Sequence, residues 1–303
     1  MNSIVIAMRR LLPLGLGLSL AAGLVGWLAW RDGFVSFGHG PATASPEQGV
    51  VTKGRYTNRY FDLSYLLPQQ WTTGLTGPEP SETGYYVLST LVPTDDLKGT
   101  ILIAAQDTFF TTKSFSDVAT AAVDFRQAMS QIPAMTIDRE PSEMRIADRD
   151  VWRVDFSGVG LYRAMFVTEI RCHLVSFNLT SREPELLPDL ARSLDSLSYA
   201  SGKRGAASAS FPVCDKGYAA VENILQRVEP KDAPGPRFAP VPVRIIIDRD
   251  GMVKHIHVIH SSDEQRKSIE DALRQWRFKP PRVNGRAVEM ETGLTFKFKR
   301  HDL

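Results

Sequence analysis

Histidines fall at positions 255, 257 and 260, and His255 and His257, two apart, share one face of any strand that carries them. Imidazole is a common zinc ligand, but two on one face need a third ligand that the neighbouring sequence does not supply. The simpler reading is polar positions on a half-buried strand. The only cysteines are Cys172 and Cys214, which provide neither a disulfide scaffold nor a C-x-x-C metal or redox motif. In an oxidising compartment they could pair, closing a loop of about 40 residues worth roughly 3 to 4 kcal/mol. The alternative is a buried free thiol, because Cys172 lies between the strand-type residues Ile170 and Leu174. Asn178-Leu179-Thr180 has the form of a glycosylation acceptor and equally that of a strand end. No phosphate-binding glycine loop, dinucleotide fingerprint, H-E-x-x-H pair or Ser/His/Asp set occurs. The sequence therefore predicts no catalytic residue, no metal and no cofactor, and the chain is read as a non-enzyme.

Charge narrows the partners. The chain has 303 residues with 36 Lys/Arg against 34 Asp/Glu, a net charge of +2 that gives no general attraction to polyanions. Residues 241–303 hold 13 Lys/Arg against 9 Asp/Glu, a net of +4, which reads as a solvated charged face. Nucleic acid is not an expected partner.

The elements that would position these residues begin with a membrane segment. Arg9 and Arg10 precede an uninterrupted apolar run at 11–30, which as a helix would be about 30 Å long, the thickness of the hydrocarbon core. Trp27 and Trp30 sit where an interfacial belt belongs, and the leading arginines put residues 1–10 in the cytoplasm. The competing reading is a cleaved signal peptide, with Ala42-Thr43-Ala44 as the site and Ser45 as the first mature residue. That site lies well beyond the apolar run, and secretory cores are shorter, so the anchor is preferred. Gly15, Ser19 and Gly23 fall four apart, with Ala22 and Gly26 on an adjacent line, a surface suited to close packing of another membrane helix.

Residues 31–53 are rich in Gly, Pro, Ser and Thr and read as a tether. A second small, polar stretch at 201–210 and a proline-dense stretch at 230–242 form a linker over 201–240. Between them lies a domain at 54–200, and beyond them one at 241–303. In the first, runs at 60–66, 84–92 and 100–106 read as strands. Phe115, Val118, Ala122, Phe125 and Met129 then recur at helical spacing, with Ser114 opening the helix. Strands follow at 143–147, 151–157 and 161–180, and a last helix carries Leu186, Leu187, Leu190, Ala191, Leu194 and Leu197 on one face. Strands and helices in this order predict an antiparallel sheet covered by helices.

In the last 63 residues Val243, Ile245 and Ile247 alternate with Arg244, Ile246 and Asp248, and Asp248-Arg249-Asp250-Gly251 supplies a hairpin turn. A return strand is predicted at 252–259. Ser262 or Asp263 caps a helix whose stripe is Ile269, Ala272, Leu273 and Trp276, and Pro280 and Pro281 end it. After an Asn284-Gly285 turn, Val288, Met290, Leu294, Phe296 and Phe298 share one face of a final strand while Glu289, Glu291 and Lys297 share the other. The unit is ββαβ, and the fold class is α+β: a transmembrane helix, an antiparallel α/β sandwich and this small domain. The two domains are expected to fold independently.

Two resemblances rest on these residues. Tyr60-Phe61-Asp62-Leu63-Ser64-Tyr65 leading into Pro68 and Trp71, with Ser193-Leu194-Asp195-Ser196-Leu197 at the end, resembles a PsbP-like domain over 50–200. Asp250-Gly251-Met252-Val253, Ser261-Ser262, Ala272-Leu273-Arg274-Gln275-Trp276-Arg277-Phe278-Lys279-Pro280, Asn284-Gly285 and Phe296-Lys297-Phe298 look like the TonB C-terminal domain. The second resemblance implies that the sheet edge at 287–298 takes up an extended partner peptide by β-augmentation. Glu289, Glu291, Gly293, Thr295 and Lys297 are then the partner-binding residues. It also implies envelope proteins as partners, among them outer-membrane transporters and an inner-membrane ExbB/ExbD-like complex. The chain departs from the pattern in lacking long Glu-Pro and Lys-Pro repeats, and it carries no histidine in 11–30, so energy transduction is not implied. The expectation is a membrane-anchored periplasmic TonB-like adaptor. The rival is a small-ligand receptor or enzyme with a pocket in the first domain, which would need convergent polar groups in an apolar cleft.

Overall fold

The computed structural model describes residues 46, 49–111, 117–199, 212–233 and 240–298. The expected membrane segment at 11–30, its packing residues Gly15, Ser19, Ala22, Gly23 and Gly26, Ser114 and the break at 201–210 lie outside the described residues. Among the described residues no helix is long and apolar enough to cross a membrane. The described residues all fall within one compact unit.

The fold is mostly β with few helices. Along the chain come β1 (Val50–Thr52), β2 (Arg55–Asn58), β3 (Leu63–Leu66), β4 (Trp71–Thr73), β5 (Tyr85–Pro93), β6 (Gly99–Asp107) and α1 (Val118–Ser130). Then follow β7 (Met135–Ile146), β8 (Arg149–Gly158), β9 (Leu161–Ile170), β10 (His173–Ser181), α2 (Leu186–Ser193) and β11 (Ser198–Tyr199). Seven of these strands make one antiparallel sheet in the order β4-β5-β6-β10-β9-β8-β7, and β1-β2-β3-β11 make a smaller one. Neighbouring residues on β9 point to opposite faces. Phe166 joins the cluster that includes Leu190 and Leu194, while Met165 and Val167 join the cluster with Ala121, Ala122 and Met129 of α1. The sheet is antiparallel and covered by helices, as the strand and helix order predicted, and the cover lies on both of its faces.

Two local expectations change. The side chain that caps α1 is Asp117, which accepts the Thr120 N–H at 2.8 Å. The apolar run at 161–180 is two strands, β9 and β10, because Arg171 and Cys172 turn the chain with φ of 50° and 57°. A two-residue hairpin with both φ positive ordinarily uses Asn or Gly, so this turn has no signature in the sequence.

The rest comprises β12 (Val213–Cys214), β13 (Ile224–Gln226), β14 (Val241–Ile247), β15 (Val253–Val258), α3 (Asp263–Leu273), β16 (Arg277–Phe278), β17 (Arg282–Val283), β18 (Arg286–Ala287) and β19 (Met290–Phe296). The expected ββαβ unit is β14, β15, α3 and β19, in a sheet ordered β12-β19-β14-β15. Ser262 and Gln265 form a capping box at the start of α3. At the first hairpin Gly251 has φ +85°, and a Cβ there would run into the Phe278 carbonyl, so glycine is required twice over. Trp276 and Phe278 fill the core with Ile269, Leu273, Met290 and Phe296. Residues 212–233, read from sequence as part of a linker, run along this unit. β13 pairs with β16, and the Trp276 indole donates to the Val228 carbonyl at 2.7 Å.

Candidate functional site

The final strand has two faces and one partly open edge. On the face toward α3, Val288, Met290, Leu294, Phe296 and Phe298 pack into the apolar core, as their spacing predicted. The other face was expected to be polar and outward, and here the structure departs from expectation. β14 is buried along its whole length, so both of its faces are covered. Glu291 and Arg244 are only 1% and 2% exposed, and the residues over them belong to the first region.

The cover is an ionic cluster. Arg244 Nη1 donates to Asp107 Oδ2 at 2.7 Å, its Nη2 lies 3.0 Å from Glu291 Oε1, and it also donates to the Arg171 carbonyl. Arg171 faces Glu291 Oε2 at 3.7 Å and stacks 3.9 Å from the centre of the Tyr60 ring. The Tyr60 hydroxyl donates to Glu291 Oε1 at 3.1 Å, and the Phe109 N–H donates to Asp107 Oδ1 at 2.8 Å. Two guanidiniums and two carboxylates thus balance in a buried setting. Burial raises Asp107, and the Arg244 guanidinium pulls the other way. Burial pulls Arg244 down, but the carboxylates and Tyr60 outweigh it and hold it above its ordinary value. Isolated buried charges would be prohibitive, so the cluster is stable only while every partner is present.

The disulfide lies beside this cluster. Cys172, in the two-residue turn, is bridged to Cys214 of β12, with Cα atoms 5.9 Å apart. Both sulfurs and a Glu291 carboxylate oxygen fall within 4.8 Å of one another. Bridged cysteines are poor metal ligands, so this grouping is read as structural.

The five expected partner-binding residues fall in different settings. Glu289 is half-buried and 2.6 Å from Lys254 Nζ. Glu291 is sealed in the cluster. Gly293 lies under the first region, where a Cβ would come within 2.8 Å of Phe109. Thr295 and Lys297 are exposed.

The backbone edge is a separate matter from the side chains. The Val213 N–H bonds the Glu289 carbonyl and the Asp215 N–H bonds the Glu291 carbonyl, so odd-numbered residues of this strand turn their backbone groups away from β14. Gly293 and Thr295 have the same parity, and beyond Glu291 no strand among the described residues pairs with that side. The register agrees: Pro242 sits opposite Thr295 and gives its carbonyl to the Ile259 N–H instead, so its missing donor costs the β14–β19 ladder nothing.

The histidine group does not converge. His255 and His260 are exposed, whereas the His257 Nε2 lies 3.2 Å from the Tyr86 hydroxyl in the first region. The rival site also has a location, a cavity of about 280 Å³ lined by Arg139, Met144, Arg153, Phe166, Arg192 and Asp195 among others. That is near the lower limit for ligand pockets. Its arginines are engaged, Arg139 and Arg153 with Asp155, and Arg192 with Asp189. The cationic groups that a small anionic ligand would recruit are already paired.

Residues 238–299 match the family model of the Gram-negative bacterial TonB protein C-terminal. This is a non-enzymatic family. No curated protein matches the chain. Among solved structures, the solution structure of cyanobacterial PsbP (CyanoP) from Synechocystis sp. PCC 6803 is similar at 13% identity and a TM-score of 0.35, covering 48% of this chain and 91% of that one. LpqN of Mycobacterium tuberculosis, described as involved in cell envelope biogenesis, is similar at 12% identity and a TM-score of 0.30, covering 45% and 82%. Likenesses at these scores carry no functional weight.

The sequence reading missed Arg244, Asp107, Arg171 and Tyr60. One signal was available: Arg244 stands between Val243 and Ile245 in a strand whose second face also carries Ile246. An apolar residue on the supposed outer face is a sign that this face is covered too.

Proposed function

We propose that this chain is an envelope adaptor in which the TonB-like unit takes up an extended segment of a partner protein along the open part of the last strand. The supporting observation is the outward-turned backbone of Gly293 and Thr295 within a region that matches the TonB C-terminal family. Unpaired strand edges template other chains, with backbone bonds supplying affinity. Partners of this reading are periplasmic segments of envelope proteins, such as outer-membrane transporters or an ExbB/ExbD-like complex. The apolar run at 11–30 would hold the chain in the inner membrane with residues 31–303 outside.

Photo-crosslinking of the full chain in carbonate-washed membranes tests this. A photoreactive amino acid in place of Lys297 should capture a discrete partner, and one in place of Leu97, which is 70% exposed in the first region, should not. Equal capture from both positions, or none from Lys297, contradicts docking at this edge. Loss of the chain to the wash contradicts the anchor.

A further inference from the structure

We propose that β12 is a built-in occupant of the receiving edge and that the Cys172–Cys214 bridge is its clamp, so that reduction lengthens the edge open to a partner. The proposal rests on the docking role given to that edge. β12 runs parallel to β19, with Val213 opposite Met290 and Cys214 opposite Glu291. It takes the backbone side that a partner strand would need, leaving Gly293 onward. By itself it has little hold. It is two residues long, Val213 and Cys214 are exposed, and beside its two-residue ladder it is tied by backbone bonds of 2.8 and 3.1 Å from Val213 and Asp215. The next anchors along the chain are the Lys216 carbonyl, which accepts a long 3.5 Å bond from the Thr292 hydroxyl, and Tyr218, whose hydroxyl donates to the Lys279 carbonyl. On the other side of the bond Cys172 is 2% exposed and fixed in its turn, where its carbonyl accepts the Thr108 N–H. One end of the bridge is therefore rigid, and the other is a short surface strand.

The exposed end is also the end a thiol can reach. A thiolate of a dithiol would attack Cys214 Sγ, breaking the S–S bond and releasing Cys172 as a thiolate that takes up a proton. The second thiol of the reagent then attacks its own mixed-disulfide sulfur and frees Cys214. The dithiol ends as a disulfide, having delivered two electrons and two protons. The Glu291 carboxylate near both sulfurs disfavours a thiolate there, which makes the bridge resistant to chance reduction.

Hydrogen exchange on the full chain, with and without dithiothreitol, reads the clamp directly. Val213 and Asp215 amides should exchange at least about tenfold faster on reduction, and Cys214→Ser should do the same without reductant. Amides joining β14 to β19 should not change. A synthetic peptide copying residues 212–216, with serine in place of cysteine, should bind the reduced chain and Cys214→Ser and not the oxidised chain. Unchanged protection at Val213 and Asp215 overturns the clamp, whatever the edge binds. Faster exchange with no peptide bound to either form supports the clamp and overturns the edge as a receiver of strands.

Discussion

The two faces of the C-terminal sheet are both buried, but by opposite means. Toward α3, Trp276, Leu273, Ile269 and Phe296 exclude water by apolar contact. Toward the first region, Arg244, Glu291, Asp107 and Arg171 exclude it by pairing charges. The apolar face belongs to a unit built from 241–298 with residues 212–233 packed along it. The ionic face needs residues from 60 to 173 and has no meaning without them. One interface makes a domain, and the other packs two regions of the chain against each other.

The sharpest break is at Arg244. Arg244→Ala leaves Asp107 without its cation and Glu291 with only Arg171, and should cost about 3 to 5 kcal/mol. Because the loss falls between the regions, thermal unfolding should pass from one transition to two. Trp276→Ala should cost a similar amount, about 3 to 5 kcal/mol, through its cavity. With the ionic cluster intact, the chain should still unfold in one transition, at a lower temperature. Calorimetry of both variants decides the matter: a single shared transition in Arg244→Ala would mean that the cluster is not what joins the regions. Replacing Arg244 and Asp107 together by Met and Leu, which leaves Glu291 with Arg171 and the Tyr60 hydroxyl, should recover most of the loss.

That contrast also explains what the sequence could tell. Ile269, Ala272, Leu273 and Trp276 advertise a helix stripe by local spacing, and Asp250-Gly251 and Asn284-Gly285 advertise turns by local backbone chemistry. Asn284 and Gly285 take φ of 50° and 77° between β17 and β18, as that pair should. The ionic cluster has no such locality. Asp107 and Glu291 lie 137 and 47 positions from Arg244, and a charged residue in a strand looks the same whether it faces water or a distant partner. Arg171 and Cys172 were hidden for a related reason. Their left-handed turn is held by the disulfide, the Thr108 N–H and the Arg244 contact rather than by residue type. The disulfide was one of two readings open from sequence, and the choice between them required the turn that brings Cys172 against β12.

A smaller effect comes from pH. Burial, then Arg244 and Arg266, bring His257 down to about 3, and burial likewise lowers His173. Both histidines are neutral in the fold, while an unfolded histidine protonates near 6.5. Stability from these groups is therefore full above pH 6.5 and declines as pH falls below it, for His257 toward about 3 and by up to about 1.4 kcal/mol per unit. Asp107 works in the opposite sense: with its pKa raised from 3.8 by burial, its contribution falls as pH rises above that value. In denaturation at pH 7, 6, 5 and 4, His257→Gln should give a shallower acid decline than the parent, and equal slopes would remove His257 from the account. The apolar face offers no counterpart to this dependence.

The smallest expected effect on stability is at Thr295, and there it tests the main proposal most directly. Its N–H turns away from β14, so Thr295→Pro removes no bond of the β14–β19 ladder and proline at an edge is tolerated. The variant should melt within about 1 kcal/mol of the parent, the usual range for surface changes that break no buried contact. Partner capture from position 297 in membranes should fall sharply. A Thr295→Pro chain that melts normally and still captures the same partner at full yield would contradict docking along this strand.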